Sequence, residues 1–588
     1  MAAVAKVGTT PTSQRRRLPL TGALVSLTLV AAYAGYQYFS GPTPTETLTS
    51  VPTRGGQVIA STRTELRTFN RLLVKDAPVD LFSLLTQGRL LRINRKTFEL
   101  EPWLAETWES SPDHRRHTLH LRRGVTWSDG EPFTSADVAF TMRAVFDPRA
   151  ESVLASVFTI GGQPVTVETP DAATVVLTFP APSGVGLNLL DALPILPKHK
   201  LEAALDAGTF KDAWGSKTPP SEMAGTGPFI LREYLPGQRL VFERNPSYWR
   251  KDASGQSLPY LDRVILLIVP NQDAELVRLQ AGETDMVQSE LRPEDYVPVR
   301  RLEEQGKLTL VEQGVSTDAD ALWFCLKPEV KARDKRFAFV EKREFRQALS
   351  HAVDREAFAQ QVFLGAAVPV WAPVTPGNEF WFTPNQVRYP PDPARARALL
   401  AGIGLEDRNG DGIVEDAAGT EARFTVITQQ GLGHYERGTA AVREAAAAVG
   451  IALDIVPLDF NAMIKRMLAC DYDAIYMRVL ASDLDPAGNL DFWLSSGEAH
   501  VWNMEQTTPA TEWERQIDAL MTEQASTVDP TRRREIFNQV QTVFGENVPM
   551  LFFAAPRLYT AHSARVTGVV PSVMRPPILW SADTLCVR

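Results

Sequence analysis

The stretch that decides the fold reads TLHLRRGVTWSDGEPFTSADVAFTMRAVF at residues 118–146. Residues 118–122 alternate apolar and polar side chains, the period of a half-buried strand. Asp129-Gly130 supplies a turn. Thr134 then stands where an N-cap belongs, with Asp137 three residues on to complete a capping box, and apolar residues recur at helical spacing as far as Phe146. A strand, a turn and a capped helix in this order make one unit of an α/β fold.

The alternation continues outward in both directions. Short strands are expected at 55–60, 165–167, 174–179, 240–243, 264–269, 424–428, 452–457 and 473–479. Helices are expected at 273–281, closed by Gly282, and as a pair within 342–364 that ends at Gly365. Further helices are expected at 393–401, 439–449 and 531–544. Helices mixed with strands throughout 588 residues imply an α/β protein of two to four lobes. A net charge of −9 without long basic runs argues against a nucleic-acid binder. The 44% hydrophobic content excludes wholesale disorder, and 27 Phe, 12 Tyr and 12 Trp supply large cores and pockets. Cys325, Cys470 and Cys586 are too few and too scattered for a disulfide scaffold, with room for one bridge.

Arg15, Arg16 and Arg17 precede a mostly apolar run over 18–39, an export signal whose basic end stays cytoplasmic. The run is long enough to span a membrane of about 30 Å, while Ala32-Tyr33-Ala34 resembles a cleavage site, so anchor and cleaved signal both stand. Residues 1–17 are read as cytoplasmic, 18–39 as signal-anchor or signal peptide, and 40–54 as a Thr/Pro linker. Either way the body at 55–588 works outside the cytoplasm.

Catalytic signatures are missing: there is no GxxxxGK[ST], HExxH, GxSxG or GxGxxG. His114, His117 and His120 do not make a metal site, because residues three apart on a strand face opposite sides. Asp407-Arg408-Asn409-Gly410-Asp411-Gly412 matches the start of a calcium loop, but Ala418 stands where the bidentate Glu is needed. No cofactor and no metal are expected.

Several segments, in order, resemble one family. Pro102 to Trp108, Leu121 to Gly130 and Phe133 to Val138 come first. Gly225-Thr226-Gly227-Pro228-Phe229, Arg244 to Trp249 and Ala281 to Met286 follow. Arg343 to Ser350, Val353-Asp354-Arg355 and Gly365 come next, then Tyr472-Asp473-Ala474 and Asp483 to Pro486. Together they are similar to the extracellular solute-binding proteins, family 5, of peptide-type ABC importers, over roughly 56–588. The motif residues themselves read as scaffold: capping residues, turn glycines for unusual dihedrals, and Arg346 and Asp354, eight apart on a helical pattern, as a solvated face or else a fixed ion pair.

The resemblance implies a periplasmic-binding-protein-like fold (type II, cluster C): two clamping lobes, an extra lobe, and an N-terminal membrane anchor or signal helix. Lobe I is placed at about 55–90, 180–326 and 558–588, lobe II at 91–179 and lobe III at 327–557. It also implies a monomeric, non-catalytic protein that captures peptides or similar small solutes by hinge closure. The solute would pass to a permease served by a separate ATPase. A tethered ligand sensor and an extracytoplasmic hydrolase are the alternatives. In the family's peptide binders, an Asp four residues before the proline of a D-x-x-(D/E)-P segment pairs with the peptide's α-ammonium. Here that position is Ser482, and the nearest carboxylate is Asp483. If Asp483 faces the cleft it would hold a free amine; if Ser482 does, Arg478 could meet a carboxylate instead. Trp371 and Trp381, in Pro/Gly-rich sequence after Gly365, read as cleft aromatics or as buried loop anchors.

Overall fold

A computed structural model describes residues 53–479 and 484–588, which make one compact unit beginning at Thr53. The expectations for 1–17, for 18–39 and for all but the last two residues of the linker lie outside the described residues, as do Ser482 and Asp483. Among the described residues no helix is long and apolar enough to cross a membrane.

The chain enters on strand Gln57–Thr62, which pairs in parallel with Arg263–Ile268. Arg239–Arg244 and Phe229–Leu235 complete this four-stranded sheet by antiparallel pairing. Parallel neighbours require a long crossover, and here it contains a second four-stranded sheet, Ala105–Ser110, Arg116–Leu121, Thr174–Thr178 and Thr166–Asp171 in pairing order. Helix Ser135–Phe146 follows the predicted turn. The Asp137 carboxylate accepts from the Thr134 N–H at 2.9 Å, closing the capping box. Along Arg116–Leu121, His117 is buried against Phe179 while His120 is exposed, as strand alternation requires. The two sheets share one core, in which Val58, Phe82 and Phe242 are continuous with Trp127, Val138 and Val175.

The second body is a seven-stranded sheet. Its order is Leu308–Val315, Met550–Ser563, Ala319–Phe324, Ala474–Val479, Arg423–Gln429 and Ala452–Leu458, with Ala367–Pro369 added on Met550–Ser563. The 14-residue strand Met550–Ser563 pairs with Ala319–Phe324 through its first half and with Leu308–Val315 through its second. Register shifts at Glu312/Gly314 and Asp320/Ala321 bend the sheet there. Beyond the bend lies a separate core around Trp323, Phe345, Tyr476, Trp493 and Phe552. A small third cluster, including Leu276, Val299, Leu308 and Ala561, fills the crossover.

The family motifs are structural, for reasons that differ in part from those expected. Gly225 and Gly227 do not have left-handed dihedrals; a Cβ on either would collide with the backbone at Leu85–Gln87. Arg346 is not on a solvated face. It is buried and donates to the carbonyls of Val548 and Asn547 at 2.8 and 2.7 Å, while Asp354 caps helix Arg355–Val362. Arg355, also buried, donates to the Phe552 carbonyl at 2.7 Å and to Ser350. Arg346 thus ties its helix to the end of helix Pro530–Asn547 and Arg355 ties its helix to the long strand, and the carbonyls satisfy guanidinia that would otherwise be costly to bury. The predicted room for one disulfide is filled: Cys325 is joined to Cys470, with Cα atoms 6.2 Å apart, and Cys586 is a buried free thiol.

Candidate functional site

Where the two bodies meet, a cavity of about 710 Å³ opens between them. One wall is made of residues 61–64 and 288–294, and the opposite wall of Phe363, residues 431–434 and Arg478. Arg557 and Arg575 also line it.

Strand pairing fixes the charged centre. Arg478 stands directly opposite Asp320 on the neighbouring strand, and its Nε reaches Asp320 Oδ1 at 3.1 Å. Tyr476, two residues earlier and so on the same face, donates from Oη to Asp320 Oδ2 at 2.8 Å. The backbone N–H of Arg478 donates to Tyr435 Oη at 2.8 Å. From the other wall Glu290 approaches Arg478 Nη1 at 3.6 Å, while Arg575 holds the same carboxylate at 2.7 Å. A second contact spans the cleft between Arg437, on helix Gly433–Ala447, and Glu294 at 3.5 Å.

Electrostatics follow from this packing. Burial works against the Arg478 cation, but Asp320, Asp318 and Glu290 hold it firmly protonated. Burial also pushes Glu290 up, yet Arg575 and Arg478 outweigh it and keep the carboxyl below its ordinary value. Burial raises Asp320 and Asp318 despite Arg478. His434, half-buried beside Arg478 and Arg437, is pushed down to about 3, so its imidazole is neutral at ordinary pH. The arrangement can bind a polar solute between two walls and change its charge contacts as the walls separate.

The residues singled out from sequence fall in different places. Arg478 lines the cavity, but its guanidinium is already engaged by Asp320 and Glu290. Trp381 is a buried loop anchor and not a cleft aromatic: it lies in the second core, packs on Phe537, and donates Nε1 to the Leu484 carbonyl at 2.9 Å. Its flanking Pro/Gly sequence marks a tightly anchored loop. Trp371 is half-buried between Arg355 and Arg388 and is not among the residues lining the cavity. Asp485, just after the undescribed residues, is paired with Arg533 through two bonds of 2.7 and 2.6 Å and caps the following turn. Sequence reasoning missed Glu290, Asp318, Asp320 and His434. Asp320 had a signal: it is a carboxylate inside the apolar run Ala319–Phe324, and a charge there needs a partner. Glu290 and His434 lie in loop and helix-start sequence without a distinguishing pattern.

Two α/β bodies joined by crossing strands, with a charged cavity between them, define a hinged binding protein. Residues 99–500 match the family described as bacterial extracellular solute-binding proteins, family 5 Middle, and the chain belongs to that family. It is 27% identical over 546 residues to a probable ABC transporter-binding protein of Deinococcus radiodurans, covering 87% of this chain and 89% of that protein. It is 25% identical over 526 residues to the oligopeptide-binding protein AppA of Bacillus subtilis, covering 88% and 89%. Among solved structures, the ABC transporter substrate-binding protein CtaP of Listeria monocytogenes superposes with a TM-score of 0.74 at 22% identity, covering 91% of this chain and all of that one. Such likeness shows the same fold.

Proposed function

We propose that this protein is the extracytoplasmic substrate-binding component of an ABC importer, and that it captures peptides or similar small solutes in the cavity between its bodies. The observation that carries the reading is the two-walled cavity, bridged by Arg478–Glu290 and Arg437–Glu294, at the bend of the crossing strands. Breaking such bridges opens the walls and remaking them traps a solute, which is hinge closure. Relatives named as transporter-binding and oligopeptide-binding proteins support the importer and the peptide class. The role is binding without catalysis, as a monomer that delivers solute to a permease with a separate ATPase.

The N-terminal run over 18–39 would hold the body at the outer membrane face or be cleaved after export. Membrane fractionation after a high-salt wash separates the two, because insertion is not screened by salt. We also propose lobes at about 55–90, 180–326 and 558–588, at 91–179, and at 327–557. The separate sheet within 91–179 supports the extra lobe, while Ala319–Phe324 is hydrogen-bonded into the second sheet. Asp483 as the ammonium-binding carboxylate, with Ser482 beside it, remains part of the proposal; Asp483→Asn should weaken free-amine peptides at least tenfold and spare N-acetylated ones. Native mass spectrometry of the purified protein, searched for a co-purified ligand, tests the function: peptides support it, and a single non-peptide solute overturns the peptide class.

A further inference from the structure

Beyond Glu290 and Arg575 the cleft continues into a side chamber of about 320 Å³. Five cationic side chains and four carboxylates line it, so the chamber carries one positive charge in excess. Four of these groups form two ion pairs, Arg575 with Glu290 and Arg71 with Asp80. Arg89 is different. It is only 5% exposed, yet no carboxylate among the described residues forms an ion pair with it. Its Nε donates to the Asp191 carbonyl at 2.6 Å and its Nη2 to Ser83 Oγ at 3.2 Å, which leaves the Nη1 donors without an acceptor among the described residues. Arg71 and Arg95, both buried, stand nearby, and burial together with these two cations lowers Arg89 to about 10 in spite of Asp191 and Asp80. Asp318 also lines the chamber, but the cations acting on it are Arg478 and Arg575.

A buried guanidinium without a matching anion is costly, and a carboxylate fits the open edge of its donor fork. The chamber adjoins the main cavity, with Lys75, Asp80, Glu290 and Arg575 lining both. A solute held between the walls can therefore extend one end into it.

We propose that this chamber receives a carboxylate of the bound solute, held by the Nη1 donors of Arg89 beside Arg71 and Arg95. The inference rests on the peptide-binding reading and adds to it that the captured ligand presents a free carboxyl group. The test offers the full-length protein a tryptic casein digest, untreated or with its carboxyls converted to methyl esters, and measures retained peptides by native mass spectrometry. At least a tenfold preference for the untreated digest is expected, abolished in Arg89→Gln and partly restored in Arg89→Lys. Peptides amidated only at the C-terminus separate a terminal carboxylate from acidic side chains. Equal retention of both digests by the wild type overturns the inference while peptide binding stands. Retention of neither overturns the peptide reading and the inference with it. If Arg89→Gln fails to fold, as circular dichroism would show, the wild-type comparison still decides.

Discussion

Arg478 and Glu290 approach to 3.6 Å from opposite walls of the cleft, and both side chains are largely withdrawn from solvent. Arg478 is braced on its own wall by Asp320, and Glu290 on the other by Arg575. Each wall therefore presents one half of a prepared ion pair.

Removing one half should favour the open form. A pair of this intermediate burial is worth about 1–2 kcal/mol, between the exposed and buried extremes. Glu290→Gln should therefore shift the unliganded closed-to-open ratio about tenfold toward open. Small-angle X-ray scattering would report it as a larger radius of gyration; an unchanged radius would show that the pair does not hold the walls together.

Asp485 and Arg533 form a buried pair inside the second body, and Arg533 also donates to the Gly184 carbonyl at 2.7 Å. Asp485→Asn leaves the guanidinium without its anion, at a cost of about 3–5 kcal/mol. Urea unfolding should show that loss. A loss below about 1 kcal/mol would mean that water or another group replaces the carboxylate.

Trp381 belongs to the core, so its truncation should act on stability. Trp381→Ala is expected to cost about 3–5 kcal/mol. Ligand affinity of the surviving folded protein should change little. A variant that unfolds like wild type but binds tenfold more weakly would return Trp381 to the cleft.

His434 makes a prediction about pH. Its value is about 3 in the folded protein against an ordinary 6.5, because burial and two arginines disfavour the cation. The unfolded chain takes the proton first as pH falls. Stability is therefore unaffected by this group above about 6.5 and lost progressively toward pH 3, by at most about 1.4 kcal/mol per pH unit. His434→Gln should remove that slope from chemical unfolding measured between pH 6 and 4. An identical pH dependence in both proteins would count against a neutral imidazole at His434.

The legible part of the fold was local. Thr134 with Asp137, and the alternation of His117 and His120, follow from short-range rules that the packed protein obeys. Long-range relations were not legible. The glycines at 225 and 227 are required by a backbone more than 130 residues away, and Arg346 is buried by the end of helix Pro530–Asn547. Much of the site was hidden for the same reason: Glu290 and Arg575 join Arg478 only through tertiary structure, and each of the two alone is an ordinary surface-type residue. Asp320 was within reach, as a charge in an apolar strand, and it identifies the strand partner that carries Arg478.

The central claim is that a peptide is bound between the two walls. Hydrogen–deuterium exchange with and without a tryptic casein digest tests it most directly. Slowed exchange on both walls, at residues 288–294 on one and 431–434 on the other, is the expected result. Slowed exchange on one wall alone, or none on either, would contradict it.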